Sequence, residues 1–204
     1  MDIATTTVGI FVFDGAELLD LAGPYEAFTT AARLHGREEP SVPPLFGVFT
    51  VGRTGRPVRA HAGLKITPDH GIGDHPDIDV LVVPGGVVTG ELAEPDVADW
   101  IAAVAGGSRI TASVCNGAFL LAAAGLLEGR RATTHWEDIA EMRLQWPSVT
   151  VVGGVRWVDE GAVVTAAGIS AGIDMSLHLV ERLAGRELAL ETARYMEYDW
   201  NEAS

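Results

Sequence analysis

A chain of 204 residues is long enough for one α/β domain with a sizeable core and too short for two full ones. With 48% hydrophobic and 21% charged residues it has the composition of a folded globule and not of a disordered segment. A net charge of −14, from 28 acidic against 14 basic residues with no Lys/Arg cluster, repels nucleic acid and argues against a DNA-binding face.

The N-terminal Met-Asp-Ile-Ala-Thr-Thr-Thr has neither a basic region nor an apolar run, so no export signal is expected. No apolar stretch approaches the length of a membrane span. One cysteine cannot form an internal disulfide, which suits a reducing compartment. The expectation is a cytoplasmic single domain spanning 1–204, with no membrane and no nucleic-acid partner.

In chain order, Thr7 to Phe13 is a buried first strand, closed by the turn pair Asp14-Gly15. Pro24 suits the first position of a helix, which predicts a helix from there to about Leu34. Asp20 then lies in the loop between strand and helix. In a parallel sheet such loops gather at the carboxyl ends of the strands, where active sites form. Leu45 to Val51 reads as a second strand and Pro57 to Ile66 as a hairpin-like excursion. Asp69-His70 and Asp74-His75 suggest metal ligands, but their Gly/Pro-rich loop gives no fixed spacing, and no metal is expected there. Ile78 to Val83 is another buried strand and ends in Pro84-Gly85-Gly86. Glycines directly after a strand let the backbone approach a ligand and leave N–H groups free. Pro95 to Ala105 is helical in pattern.

The stretch that organises the chain is Arg109 to Leu121. Its first half is a β-branched apolar run of strand length, and its second is an Ala/Leu-rich helix. Cys115, the only cysteine, sits at the turn between them. Such a turn lifts its residue clear of the sheet and aims the helix N-terminus at it, an arrangement that favours a thiolate. This is a nucleophile elbow with Cys where hydrolases carry Ser. The plain alternative is a buried cysteine acting as a small hydrophobe.

Beyond it, Thr133-Thr134-His135-Trp136 precedes a short helix from Glu137 to Gln145. Short strands follow at 149–152, 155–158 and 162–166. Ile169, Ile173, Leu177, Val180 and Ala184 repeat at helical spacing and predict a long packed helix, with a last helix from Arg186 towards Tyr198. Tyr195, Tyr198 and Trp200 read as helix packing or a subunit contact.

If the strands before Asp20, Gly85-Gly86 and Cys115 are neighbours, their three loops meet over one pocket. A cysteine nucleophile needs a partner that manages protons and donors that hold developing charge. Asp20 can be the partner, and the N–H groups of Gly85, Gly86 and Asn116 can be the donors. The plainer readings are a loop cap for Asp20 and a tight turn for Gly85-Gly86. His135 is a candidate for a Cys–His pair or else a packed core histidine, and no clear acid partner accompanies it.

With these residues in place, the chain resembles the ThiJ/PfpI branch of the class I glutamine amidotransferase-like superfamily, from Val8 to about Leu183. The resemblance is carried by Leu19-Asp20-Leu21-Ala22-Gly23-Pro24, Pro84-Gly85-Gly86, the run from Ser113 through Trp136, and Gly168-Ile169-Ser170-Ala171-Gly172-Ile173-Asp174. It implies a flavodoxin-like α/β/α sandwich with a mostly parallel central sheet, and a homodimer. Within the superfamily the chain is similar to isonitrile hydratases, which turn an isonitrile and water into an N-substituted formamide and carry aspartate at the place of Asp20. They usually have Thr directly after the cysteine, where this chain has Asn116. The same Asp and Thr-Thr-His-Trp signatures occur in the sensor domains of AraC-type regulators. Those add a helix-turn-helix module, which the sequence through Ser204 does not contain. The resemblance therefore implies a cofactor-free hydratase acting on a small molecule through Cys115. The alternative is a ligand-binding or thiol-sensing domain, and a protease or amidotransferase reading ranks below both.

Overall fold

The computed structural model describes residues 4–202. Strand β1 (Thr6–Val12) leads into helix α1 (Leu18–Glu38) and strand β2 (Phe46–Gly52). The ladders β3 (Val58–Arg59) and β4 (Lys65–Ile66) form the expected antiparallel hairpin, ahead of β5 (His70–Gly71). Then come β6 (Val80–Val83), the short α2 (Thr89–Leu92), α3 (Pro95–Gly107), β7 (Ile110–Val114) and α4 (Gly117–Ala123). After β8 (Arg131–Ala132), a 3-10 turn at Trp136–Asp138 runs into α5 (Ile139–Gln145) and β9 (Thr150–Val151). Strands β10 (Trp157–Asp159) and β11 (Val163–Ala166) and helices α6 (Ala171–Ala184) and α7 (Arg186–Tyr195) complete the chain.

Seven strands form one sheet in the order β10-β11-β7-β6-β1-β2-β5. Every pairing in it is parallel except that of β10 with β11. The central strands β6, β7 and β11 are buried along their whole length. That is why they read as continuous apolar runs and not as alternating ones: both sheet faces are covered. Helices α1, α6 and α7 pack on one another, and α2, α3 and α4 form a second group, so the sheet is the middle layer of three. The expected α/β/α sandwich is the fold. No described helix is long and apolar enough to cross a membrane.

Register places the site. Val83 pairs with Ser113, Val114 with Ala166, and Ile10 with Val82, so β1, β6, β7 and β11 end nearly level. Their following loops open side by side at the carboxyl edge of the sheet.

Two local expectations, the start of α1 and the place of Ile169, need correction. Helix α1 starts at Leu18, not at Pro24, which lies inside it. Glu17 accepts the N–H of Asp20 at 3.2 Å and donates its own to the Gly85 carbonyl at 2.8 Å, so the first turn closes early. Pro24 then withholds only the bond to the Asp20 carbonyl. Asp20 is thus on the first turn of a helix and not in a loop. Ile169 is 40% exposed and lies ahead of α6, so it is not part of that helix's packed stripe. The 69–75 loop is occupied by structural bonds. Asp69 accepts from Thr50 N and Oγ1, both at 2.8 Å, Asp74 accepts from Gly71 N, and His75 Nε2 accepts from Trp100 Nε1 at 2.8 Å.

Candidate active site

Cys115 closes β7 with φ of 58°, in the left-handed region that non-glycine residues avoid. That conformation costs about 1–3 kcal/mol and persists only where neighbours enforce it. The Cys115 N–H donates to the Ala167 carbonyl at 2.9 Å and to the Ala166 carbonyl at 3.2 Å, while its own carbonyl accepts from Thr134 Oγ1 at 3.0 Å. A Cβ on Gly117 would run into the carbonyls of Val83 and Pro84, so only glycine lets α4 begin this close to the end of β6. Cys115 itself is 8% exposed. The elbow read from the sequence is present.

Because β1, β6 and β7 are consecutive in the sheet, Asp20, Gly85 and Cys115 do meet. Asp20 is fully buried, and its Oδ2 accepts the Gly85 N–H at 3.0 Å. Its Oδ1 makes no close hydrogen bond. Burial pushes the carboxyl up to about 7, helped by the nearby charge of Glu17. The Gly85 N–H, the Cys115 thiol and the Ile169 N–H act in the opposite sense by favouring the carboxylate.

The thiol does not behave as the sequence suggests. Burial and then the Asp20 carboxylate push Cys115 up to about 12, against the pull of the Asn116 and Ile169 N–H groups. The expected thiolate below the value of a free cysteine is therefore overturned. The start of a seven-residue helix is too weak to offset desolvation beside a second acid. The resting pair instead keeps its proton on sulfur, with a carboxylate beside it that titrates near neutrality. Protons on such a pair belong to both groups together.

The expected anion donors are also differently employed. The Gly85 N–H is taken by Asp20. The Gly86 N–H donates to Asn116 Oδ1 at 2.8 Å, and Asn116 Nδ2 donates back to the Gly86 carbonyl at 3.0 Å. Gly85, Gly86 and Asn116 are in the site, but their bonds hold its wall together. A Cβ on Gly85 would overlap Asn116 Oδ1 and crowd Cys115 Cβ at 2.9 Å, so the wall fits only glycine there. The Asn116 amide is folded back onto the wall, while the Asn116 backbone N–H faces the sulfur.

Sequence reasoning misses Ile169 as a site residue. Its φ is 49°, and for a β-branched residue that is a strained conformation. It turns the Ile169 N–H towards both Asp20 and Cys115. Gly168-Ile169 directly after a buried strand is the signal that could have found it, masked by the helical spacing of Ile169 with Ile173.

His135 lines a cavity of about 340 Å³ with Trp136, Ile139, Arg156, Gly168 and Ile169. Its Nδ1 accepts the Glu137 N–H at 3.4 Å and lies 3.7 Å from Glu137 Oε2 and 4.0 Å from Asp138 Oδ2. Two carboxylates therefore lie near the histidine, while its Nδ1 is engaged as the acceptor of the Glu137 N–H. They are local ones, two and three residues on, supplied by the 3-10 turn.

Among known proteins, the chain is 34% identical over 193 residues to the HTH-type transcriptional regulator GbdR of Pseudomonas aeruginosa, covering 95% of this chain and 51% of that one. The chain thus spans about half the length of that regulator. It is also 34% identical over 198 residues to an isonitrile hydratase of Pseudomonas putida, covering 94% of this chain and 78% of that protein. In three dimensions it is similar to a ThiJ/PfpI family protein from Pseudomonas syringae, with a TM-score of 0.84 at 27% identity over 98% of this chain and 78% of the other. The DJ-1/PfpI family model matches residues 6–182, and the chain belongs to the DJ-1/PfpI family.

Proposed function

We propose that the protein is a cysteine-dependent hydratase of the isonitrile type that needs no metal or cofactor. The observation that carries the reading is a buried thiol beside a carboxyl that titrates near 7. Above that pH Asp20 is a base beside the thiol whose proton it must move. In the proposed cycle, Cys115 Sγ bonds to the terminal carbon of the isonitrile, and Asp20 relays the thiol proton to that carbon. The product is a thioimidate, R–N=CH–S–Cys115. Water adds to the same carbon, the C–S bond breaks, a proton returns to sulfur, and R–NH–CHO leaves. One isonitrile and one water give one formamide, with nothing oxidised or reduced.

The cavity beside His135 and Ile169 suits a small organic group R, with Ile139, Val155 and Ile169 as apolar walls. The Asn116 amide, held on Gly86, leaves the approach to sulfur to the Asn116 and Ile169 N–H groups. A homodimer in the cytoplasm belongs to the same proposal, and light scattering at micromolar concentration tests the dimer. The test of activity is incubation with a panel of small isonitriles, following formamide by mass spectrometry. Turnover by the native chain and none by Cys115→Ala supports the reading, and equal turnover by both overturns it.

A second reading rests on the similarity to a regulator. The same pocket would then bind a small ligand without turning it over. Saturable binding that survives Cys115→Ala, with no formamide from any isonitrile, would favour it.

A further inference from the structure

The last residues of the described chain reach back to the rear of the site. Asp174, on the first turn of α6, is fully buried. Its Oδ2 accepts from Arg156 Nε at 2.6 Å and from Nη2 of the same guanidinium. Its Oδ1 accepts the Asn201 N–H at 2.9 Å, and its carbonyl accepts from Trp200 Nε1 at 3.1 Å. A buried carboxylate is costly unless paired and hydrogen-bonded in this way.

Arg156 also holds the loop between β11 and α6. Its Nη2 donates to Ser170 Oγ at 3.0 Å, and its carbonyl accepts the Ala167 N–H at 2.9 Å. Tyr198 adds a third tie, donating its hydroxyl to the Ser170 carbonyl at 3.4 Å. The residues on both sides of Gly168-Ile169 are therefore fixed. Ile169 lies between them in its strained conformation, which needs surroundings that leave it no alternative.

We propose that Arg156 is a positioning residue for the site. Paired with Asp174 and backed by segment 198–201, it pins the 167–170 loop so that the Ile169 N–H stays aimed at Cys115 and Asp20. An N–H aimed at both acids favours their ionised forms, so releasing it makes each harder to deprotonate. The proposal rests on the acid pair of the proposed site but not on its substrate, so it is tested without an isonitrile.

Cys115 is the sole cysteine, and iodoacetamide labelling followed by intact mass reads this thiol alone. Arg156→Lys keeps a cation opposite Asp174 but loses the fork that reaches Ser170. The inflection in labelling rate that Asp20 gives near neutrality should move up by about one pH unit, and the rate at a fixed higher pH should fall about tenfold. Ser170→Ala removes one tie without unpairing Asp174, and should shift the profile the same way with a smaller, roughly threefold loss. A folded Arg156→Lys chain with the wild-type pH profile overturns the proposal, even with a lowered Tm, because the pair is then merely structural. If Arg156→Lys does not fold, Ser170→Ala decides: a shifted profile upholds the proposal and an unchanged one overturns it.

Discussion

Two carboxylates in this molecule are treated in opposite ways. Asp159, on the edge strand β10, borders the larger cavity, of about 590 Å³, with Trp157, His178 and Arg182. Burial opposes its ionisation, but hydrogen bonds from His178 at 2.7 Å and the Gly161 N–H at 2.8 Å, with the charge of Arg182, more than compensate and hold it below the usual carboxylate range. Asp20, on the first turn of α1, is fully buried with one oxygen lacking a close partner, and is pushed up to about 7. The larger cavity has its charges paired, whereas Asp20 and Cys115 are two neighbouring buried acids flanked by two strained backbones, Cys115 and Ile169, the latter on the wall of a smaller cavity of about 340 Å³. Unsatisfied charge and strain set the candidate site apart more sharply than volume does.

The strongest way to break that contrast is to remove the titrating proton at the centre. Asp20→Asn keeps shape and a donor, so isonitrile turnover should fall by about 10²–10⁴-fold while binding of a substrate-like ligand changes far less. Full turnover in this variant would make Asp20 a structural residue. Turnover in the native chain should rise with pH through about 7, as Asp20 becomes the carboxylate that accepts the thiol proton.

Stability should respond with opposite signs at the two positions. The raised value of Asp20 means the folded state holds its proton more tightly, so Asp20 costs nothing below about pH 4 and destabilises progressively as pH rises through about 7. Asp20→Asn should therefore raise stability at about pH 8 by something on the order of 2–4 kcal/mol, and hardly at all in acid. Chemical denaturation at the two pH values reads this directly.

Gly85→Ala places a methyl group between Asn116 and Cys115. It should cost about 1–3 kcal/mol and slow Cys115 labelling, because the wall must shift to admit it. Asp159→Asn is the smallest effect and the reverse of Asp20→Asn. The lowered Asp159 value contributes stability present above the unfolded pKa and lost as pH falls through the folded one. Its removal should destabilise at neutral pH by less than about 1 kcal/mol, since solvent screens the pair. A stabilising Asp159→Asn would blur the contrast between the two carboxylates.

Much of this arrangement is legible in the residues. Continuous apolar runs mark β1, β6 and β7, and the turn residues after them point to Asp20, Gly85 and Cys115, because a parallel sheet forces such loops together. The start of α1 is not legible, because the sequence signal of Pro24 is local, while the bond from Glu17 to Gly85 that starts the helix joins distant segments. The protonation of Cys115 is hidden for a related reason. A helix N-terminus shows in the sequence, but the desolvation that outweighs it exists only once the sheet has closed. Asn116 reads as a pocket donor in the sequence, yet in the fold Gly86 uses both ends of its amide. Arg156 lies outside every motif, and its part emerges only from the fold of β10, α6 and the C-terminal residues around it.

The covalent intermediate is the most direct test. Native protein mixed with an isonitrile, quenched in acid within the first turnovers and read by intact and peptide mass spectrometry, should carry one added isonitrile on the Cys115 peptide. That adduct should decay as formamide appears. Formamide formed at full rate with Cys115 never modified would contradict the thioimidate route, and with it the catalytic role of the buried acid pair.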